Sequence, residues 1–157
     1  MPLDFQKLKD SARKQSANPT LSDASIRDAE VALGFPIPAQ LRRVYSEVGN
    51  GGFGPGHGFY GLDRGTNDFP DESVVYLYIL FRKGDPEDPT FSWPHMLLPI
   101  LDWGCAIRSC VDCSTPSLPI MRHDPNVQFP LQFRAEEWHL EDWLQAWLDG
   151  YDLWKNE

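Results

Sequence analysis

The decapeptide Gly49-Asn50-Gly51-Gly52-Phe53-Gly54-Pro55-Gly56-His57-Gly58 constrains this chain more than any other stretch of it. Six glycines in ten residues cannot run through a helix or a strand without a large conformational-entropy cost. They divide the 157 residues into a helical first third and a remainder rich in strands. A glycine-rich loop also raises the question of phosphate binding. Phosphate loops lie between a strand and the N-terminus of a helix, where free amides face the anion. This one follows a helical pattern, leads into the strand-like Phe59-Tyr60-Gly61-Leu62 and has no Lys-Ser/Thr pair, so it reads as a structural turn requiring positive φ. His57 within it reads as a solvated loop residue.

Before the loop, Leu3, Leu8 and Ala12 set a first helix over roughly residues 4–15. Asn18-Pro19-Thr20 ends it. Ser22 then caps a second helix with Ile26, Ala29 and Leu33 on one face and Gly34 as its left-handed terminator. Pro38 suits the first turn of a third, whose apolar positions are Leu41, Val44, Tyr45 and Val48.

Beyond the loop, Asp71–Gly84 combines β-propensity with helical spacing. Val74, Leu77, Tyr78 and Phe81 fall at i, i+3, i+4 and i+7, acidic residues open the segment, and Arg82-Lys83-Gly84 closes it. The expectation is a helix over Asp71–Lys83, followed by an acidic loop, Asp85-Pro86-Glu87-Asp88-Pro89. Strands are expected over Met96–Leu101, Trp103–Cys113, Leu118–His123 and Val127–Phe133. In the second of these, Trp103, Cys105, Ile107, Ser109, Val111 and Cys113 alternate onto one face, read as the core side; Gly104, Ala106, Arg108, Cys110 and Asp112 share the other. The chain closes on an amphipathic helix whose stripe is Leu140, Trp143, Leu144, Trp147, Leu148 and Tyr151.

Cys105, Cys110, Cys113 and His123 are of zinc-ligating type. On a continuous strand, however, Cys105 and Cys113 lie about 26 Å apart and Cys110 faces the other way, so no metal site and no disulfide is expected. Arg108 beside Cys110 is a device for depressing a thiol pKa, with His95 or His123 as the partner, but any globular chain of this size contains such residues. No nucleophile-elbow or zinc-protease motif is present, and no catalytic residue or cofactor is assigned.

There are 14 Lys+Arg against 23 Asp+Glu, a formal charge of −9, and all the excess acid lies after residue 50. Such a surface repels nucleic acid and anionic lipid and attracts basic partners. The longest apolar run, Val74–Phe81, is too short to span a bilayer. Met1-Pro2-Leu3-Asp4 lacks the pattern of a signal peptide, so the expected compartment is the cytoplasm.

The series Ile26/Glu30/Leu33, Leu33-Gly34-Phe35-Pro36-Ile37-Pro38, Leu41-Arg42 and Gly49-Asn50-Gly51-Gly52 resembles the SUKH superfamily. Leu98-Pro99-Ile100, Trp103-Gly104-Cys105, Cys110-Val111-Asp112-Cys113-Ser114 and His123-Asp124-Pro125-Asn126 resemble its bacterial branch, as does the Trp-rich final helix. The likeness runs from about Leu21 to Gly150. Pro36, and Asp102-Trp103-Gly104 in place of Asp-Gly-Gly, depart from the usual pattern.

The resemblance implies a single α+β domain over 1–157: N-terminal helices packed on a bent antiparallel sheet of about five or six strands, with a C-terminal amphipathic helix. It implies a non-enzymatic, protein-binding role. Bacterial members are often immunity proteins against toxins, many of them nucleases; fungal relatives regulate cell-wall synthesis, and an intracellular scaffold or regulator is the alternative here. For the partner surface we expect the acidic clusters Asp68, Asp71, Glu72, Asp85, Glu87 and Asp88, with Phe69, Phe91 and Trp93 beside them as apolar anchors, facing a basic toxin domain.

If the final stripe is core, Trp143→Ala costs about 3–5 kcal/mol of stability. An unchanged melting temperature would instead mark that stripe as a binding face.

Overall fold

The computed structural model describes residues 2–128 and 131–155. Helix α1, Phe5–Lys14, starts where the Asp4 carboxylate accepts the Lys7 amide at 3.0 Å. Helix α2, Asp23–Leu33, starts at Ser22, whose hydroxyl accepts the Ser25 amide, and ends at Gly34 with φ of 89°. Glu30 on α2 then fixes the next turn. Its Oε2 accepts the Ile37 amide at 2.6 Å and the Arg42 guanidinium at 2.7 Å. One carboxylate thus ties the Gly34–Pro38 turn to helix α3, Ala39–Arg43. The third helix is not uniform as expected: Val44–Val48 widen into a π-helical turn before Gly49.

The glycine loop packs against the α1–α2 connection rather than projecting into solvent. Asn50 is 1 % exposed. Its Oδ1 accepts the Leu62 amide at 2.7 Å and its Nδ2 donates to Asp63 at 2.9 Å. Asn18 donates its side-chain amide to the carbonyls of Asn50 and Gly65, and its backbone pairs with Asn50 and Gly51. Gly51 has φ of 82°, and a Cβ there would lie 2.5 Å from the Gly61 nitrogen. Only glycine lets these two backbones pass so closely.

Residues 59–62 in turn seat helix α4, Val74–Arg82: the Val74 and Val75 amides donate to the carbonyls of Gly61 and Leu62. The Ser73 hydroxyl caps the helix by accepting the Tyr76 amide. The helix expected over Asp71–Lys83 therefore exists, and starts three residues later than expected, because its cap is Ser73 rather than the acidic pair before it.

The sheet is an antiparallel meander of β1 (Leu97–Gly104), β2 (Ile107–Asp112), β3 (Pro119–His123) and β4 (Phe133–His139), in that spatial order. Among the described residues it has four strands rather than five or six. The Phe59–Gly61 segment adds only a single bridge to Leu101 and another to Ser73. Register shifts within β1 and β3 bend the sheet. Helix α4 packs on β1 and helix α5, Leu140–Leu148, packs on β3 and β4. Trp143 is 1 % exposed and stacks on Phe59 at 6.0 Å. Trp147 is half-buried, and Tyr151 falls beyond the helix end and is exposed.

Two strand expectations are corrected. The segment Trp103–Cys113 is not one strand. It folds into a tight hairpin in which Gly104, Cys105 and Ala106 all have positive φ, joining β1 to β2. Cys105 stands exposed at the tip while Cys110 and Cys113 are buried. The alternation also fails to separate core from solvent in β2. Arg108, Ser109, Cys110 and Val111 are all buried: Arg108 lies over the Phe81 ring of α4, and Ser109 accepts from the Trp103 indole, which packs on Trp154. The strand expected over Val127–Phe133 lies elsewhere: residues 129 and 130 are outside the described residues, 124–127 form a turn, and β4 runs from Phe133 to His139. Its Arg-Ala-Glu-Glu-Trp-His sequence hides the strand because, at the sheet's edge, only Glu136 points fully inward. That carboxylate forms a buried ion pair with Arg122, which also donates to the carbonyls of Leu153 and Trp154.

Asn50→Ala leaves the buried Leu62 amide without its acceptor. We expect a loss of about 1–3 kcal/mol, measured by denaturant unfolding. A loss below about 0.5 kcal/mol would remove the loop from its keystone role.

Candidate functional site

Helix α4 buries Val74, Leu77 and Tyr78. Its other side carries Tyr76, Ile79 and Leu80 at 54, 36 and 43 % exposure, an apolar stripe open to solvent. Sequence reasoning missed these three residues. The available signal was that α4 is apolar on both sides, more than one buried face needs.

The two expected acidic clusters lie at opposite ends of this helix, about 13 Å apart by its rise. At the N-terminal end, Asp68 and Asp71 are exposed and Glu72 is half-buried. Phe69 packs its ring on Tyr60 at 5.3 Å and lies 6.3 Å from His57. At the C-terminal end, Asp85–Asp88 form a turn closed by the Asp88 amide on the Asp85 carbonyl. Asp85 Oδ1 accepts the Glu87 amide at 2.9 Å, and Asp88 Oδ1 accepts both the amide and the hydroxyl of Thr90. Trp93 is not at the surface. It is 1 % exposed, its indole N–H donates to the Leu97 carbonyl, and its own carbonyl accepts from Arg82. The large apolar side chains of α4 that do stand at the surface are Tyr76, Ile79 and Leu80.

Asp85, Asp88 and Phe91 come together on the rim and wall of a cleft of about 510 Å³. Glu87 is exposed on the same turn, outside the cleft lining. The opposite side consists of Arg108 and His123 from adjacent strands, with Gln132. Arg108 Nε donates to the Tyr60 hydroxyl at 2.9 Å, and that hydroxyl donates to Asp102 at 2.8 Å. Burial pushes the Tyr60 pKa far up, so the phenol stays a neutral relay between the two charges. Burial likewise pulls His123 down from its ordinary value. Arg108 adds to this, while the Gln132 contact and Asp124 oppose it. Phe133 and Trp93 lie 4.9 Å from its ring.

The two buried thiols are not activated. Burial raises Cys110 despite the neighbouring Arg108, and raises Cys113 to about 12. Among the described residues no three His, Cys, Asp or Glu side chains are placed to hold a metal ion. No described helix is long and apolar enough to cross a membrane.

The model of the SMI1 / KNR4 family (SUKH-1) matches residues 20–144. The chain belongs to the SMI1 / KNR4 (SUKH-1) family. No curated protein and no solved structure matches it. The SUKH-1 match takes in the Glu30 clamp, the Asn50 loop, α4 and the cleft. All nine expected partner-facing residues lie inside it. Helix α1 lies before it, and the match ends at Leu144, within α5.

Because His123 is neutral when folded and readily protonated when unfolded, the unfolded state binds the extra proton first. Stability is full above the unfolded pKa of about 6.5 and falls as the pH drops below it. Denaturant midpoints at pH 7 and pH 5 should differ in the wild type, and differ less in His123→Gln. An equal pH dependence in the two proteins would remove His123 as its source.

Proposed function

We propose that this SUKH-1 chain is a non-enzymatic protein-binding domain of the immunity type, which neutralises a toxin by occupying the toxin's basic cleft. The observation carrying this reading is the exposed face of α4. An apolar stripe of Tyr76, Ile79 and Leu80 runs between Asp68, Asp71 and Glu72 at one end and Asp85, Glu87 and Asp88 at the other. Apolar area supplies the affinity of a protein interface, and flanking charge supplies orientation and encounter rate. A nuclease toxin offers the matching chemistry, because a site that binds a polyanion is lined with Lys and Arg. Family membership supports a binding role of the immunity or regulatory kind. The −9 formal charge supports a basic partner over an acidic one.

The test uses the product of the adjacent gene as partner, with association rates measured over a salt series. Reversing Asp85, Glu87 and Asp88 to Lys should slow association about tenfold at low salt and flatten its salt dependence. Tyr76→Ala with Leu80→Ala should instead accelerate dissociation. Growth rescue of cells expressing the toxin should fail in both variants. If the wild-type chain binds the neighbouring product without protecting against it, or if association ignores both salt and charge reversal, the proposal is wrong. Binding to a cell-wall synthesis protein in place of a toxin would assign the regulatory role.

A further inference from the structure

We infer that the cleft beside the C-terminal end of α4 is a recognition site for an arginine side chain presented by a protein partner, an inference that rests on the protein-binding function proposed above. The cleft, about 510 Å³, has the size of a small-ligand site rather than of a surface dimple. Its walls include Phe91 and Pro86, apolar surface against which the plane and the methylene stem of an arginine can pack.

The polar groups around it are acceptors in need of donors. Asp85 and Asp88 spend Oδ1 on their own turn, which leaves Oδ2 of each carboxylate for a ligand. His123 is 3 % exposed, and its Nδ1 is buried without a partner. Its Nε2 lies 3.0 Å from Gln132 Oε1. With that oxygen accepting, Nδ1 is left as a bare acceptor, a costly state for a buried polar atom.

Arg108 is the one guanidinium among the described lining residues, and its Nε and Nη1 already have protein partners. It bonds to the Tyr60 hydroxyl and the Ala106 carbonyl and lies over the Phe81 ring at 5.1 Å, and Tyr60 links it to Asp102. The lining carboxylates therefore outnumber it, and an anion entering the cleft would meet them first. A cation rich in donors fits. Arginine has five N–H groups on a plane that stacks; lysine has three on a strongly hydrated point charge and leaves more of these acceptors unpaired.

The experiment is a titration of the full chain, followed by amide NMR, with Nα-acetyl-arginine methylamide and its lysine and citrulline counterparts. Citrulline has nearly the shape of arginine without the charge. The expected result is saturable binding of the arginine probe in the millimolar range, with shifts concentrated at Phe91, Arg108 and Gln132. The citrulline and lysine probes should bind about tenfold more weakly. Asp85→Asn with Asp88→Asn should weaken the arginine probe to a similar extent, and Phe91→Ala should weaken it while keeping the charges. Asp23→Asn with Asp28→Asn, on the exposed side of α2 and outside the proposed binding face, removes the same charge and should leave it unchanged.

The inference is overturned if no probe binds, if lysine or citrulline binds as well as arginine, or if the α2 variant weakens binding as much as the cleft variant does. No partner protein is present in this titration. Its failure leaves the protein-binding function standing, and a failed partner experiment leaves the titration result intact.

Discussion

Everything at the candidate surface depends on how the Asn50 side chain is satisfied. A buried carboxamide must find partners for both of its ends, and here it finds them in Leu62 and Asp63, twelve and thirteen residues along the chain. That fixes residues 59–63. The carbonyls of Gly61 and Leu62 receive the first amides of α4, so the direction in which the helix leaves is set through the backbone that Asn50 holds. The same segment places Tyr60 between Asp102 and Arg108, and Arg108 lines the cleft. Helix α4 and the cleft are thus two outcomes of one backbone placement.

This dependence explains why the Gly-Asn-Gly-Gly motif can be structural while lying near a functional surface. Asparagine is needed for its paired donor and acceptor, and Gly51 is needed because the Gly61 backbone passes where a Cβ would stand. Glu30 has a comparable role earlier in the chain, clamping the Ile37 amide and Arg42 together. Both residues hold backbone in place, and neither is aimed at a ligand.

The helices were legible in the sequence because their signals are local. Ser22 and Gly34 bracket α2, and the i, i+3, i+4, i+7 spacing from Val74 to Phe81 outweighed the β-propensity of Val74 and Val75. The sheet was less legible for physical reasons. The β1–β2 hairpin places Cys105 and Ala106 in the left-handed region, which carries no residue-type signal when the residues are not Asn or Gly. Strand β4 reads as polar because an edge strand exposes most of its side chains, and its one buried position is a glutamate whose partner is an arginine on the next strand. The acidic clusters were visible in the composition, but their separation by the length of α4 and the apolar stripe between them are properties of the folded helix. Trp93 looked like a surface anchor because it neighbours an acidic loop; it is buried among Phe81, His123 and Phe133, contacts that no local pattern encodes.

The exposed hairpin tip has a practical consequence. Of the three thiols, two are sealed in the core and ionise only at very high pH, while Cys105 stands in solvent, next to Ala106 on the cleft lining. A maleimide dye offered to the native protein at neutral pH therefore attaches at one place, with no engineered cysteine and no background labelling to subtract. The molecule carries its own reporter position beside the surface of interest, and the dye's emission would follow occupancy of the cleft in real time.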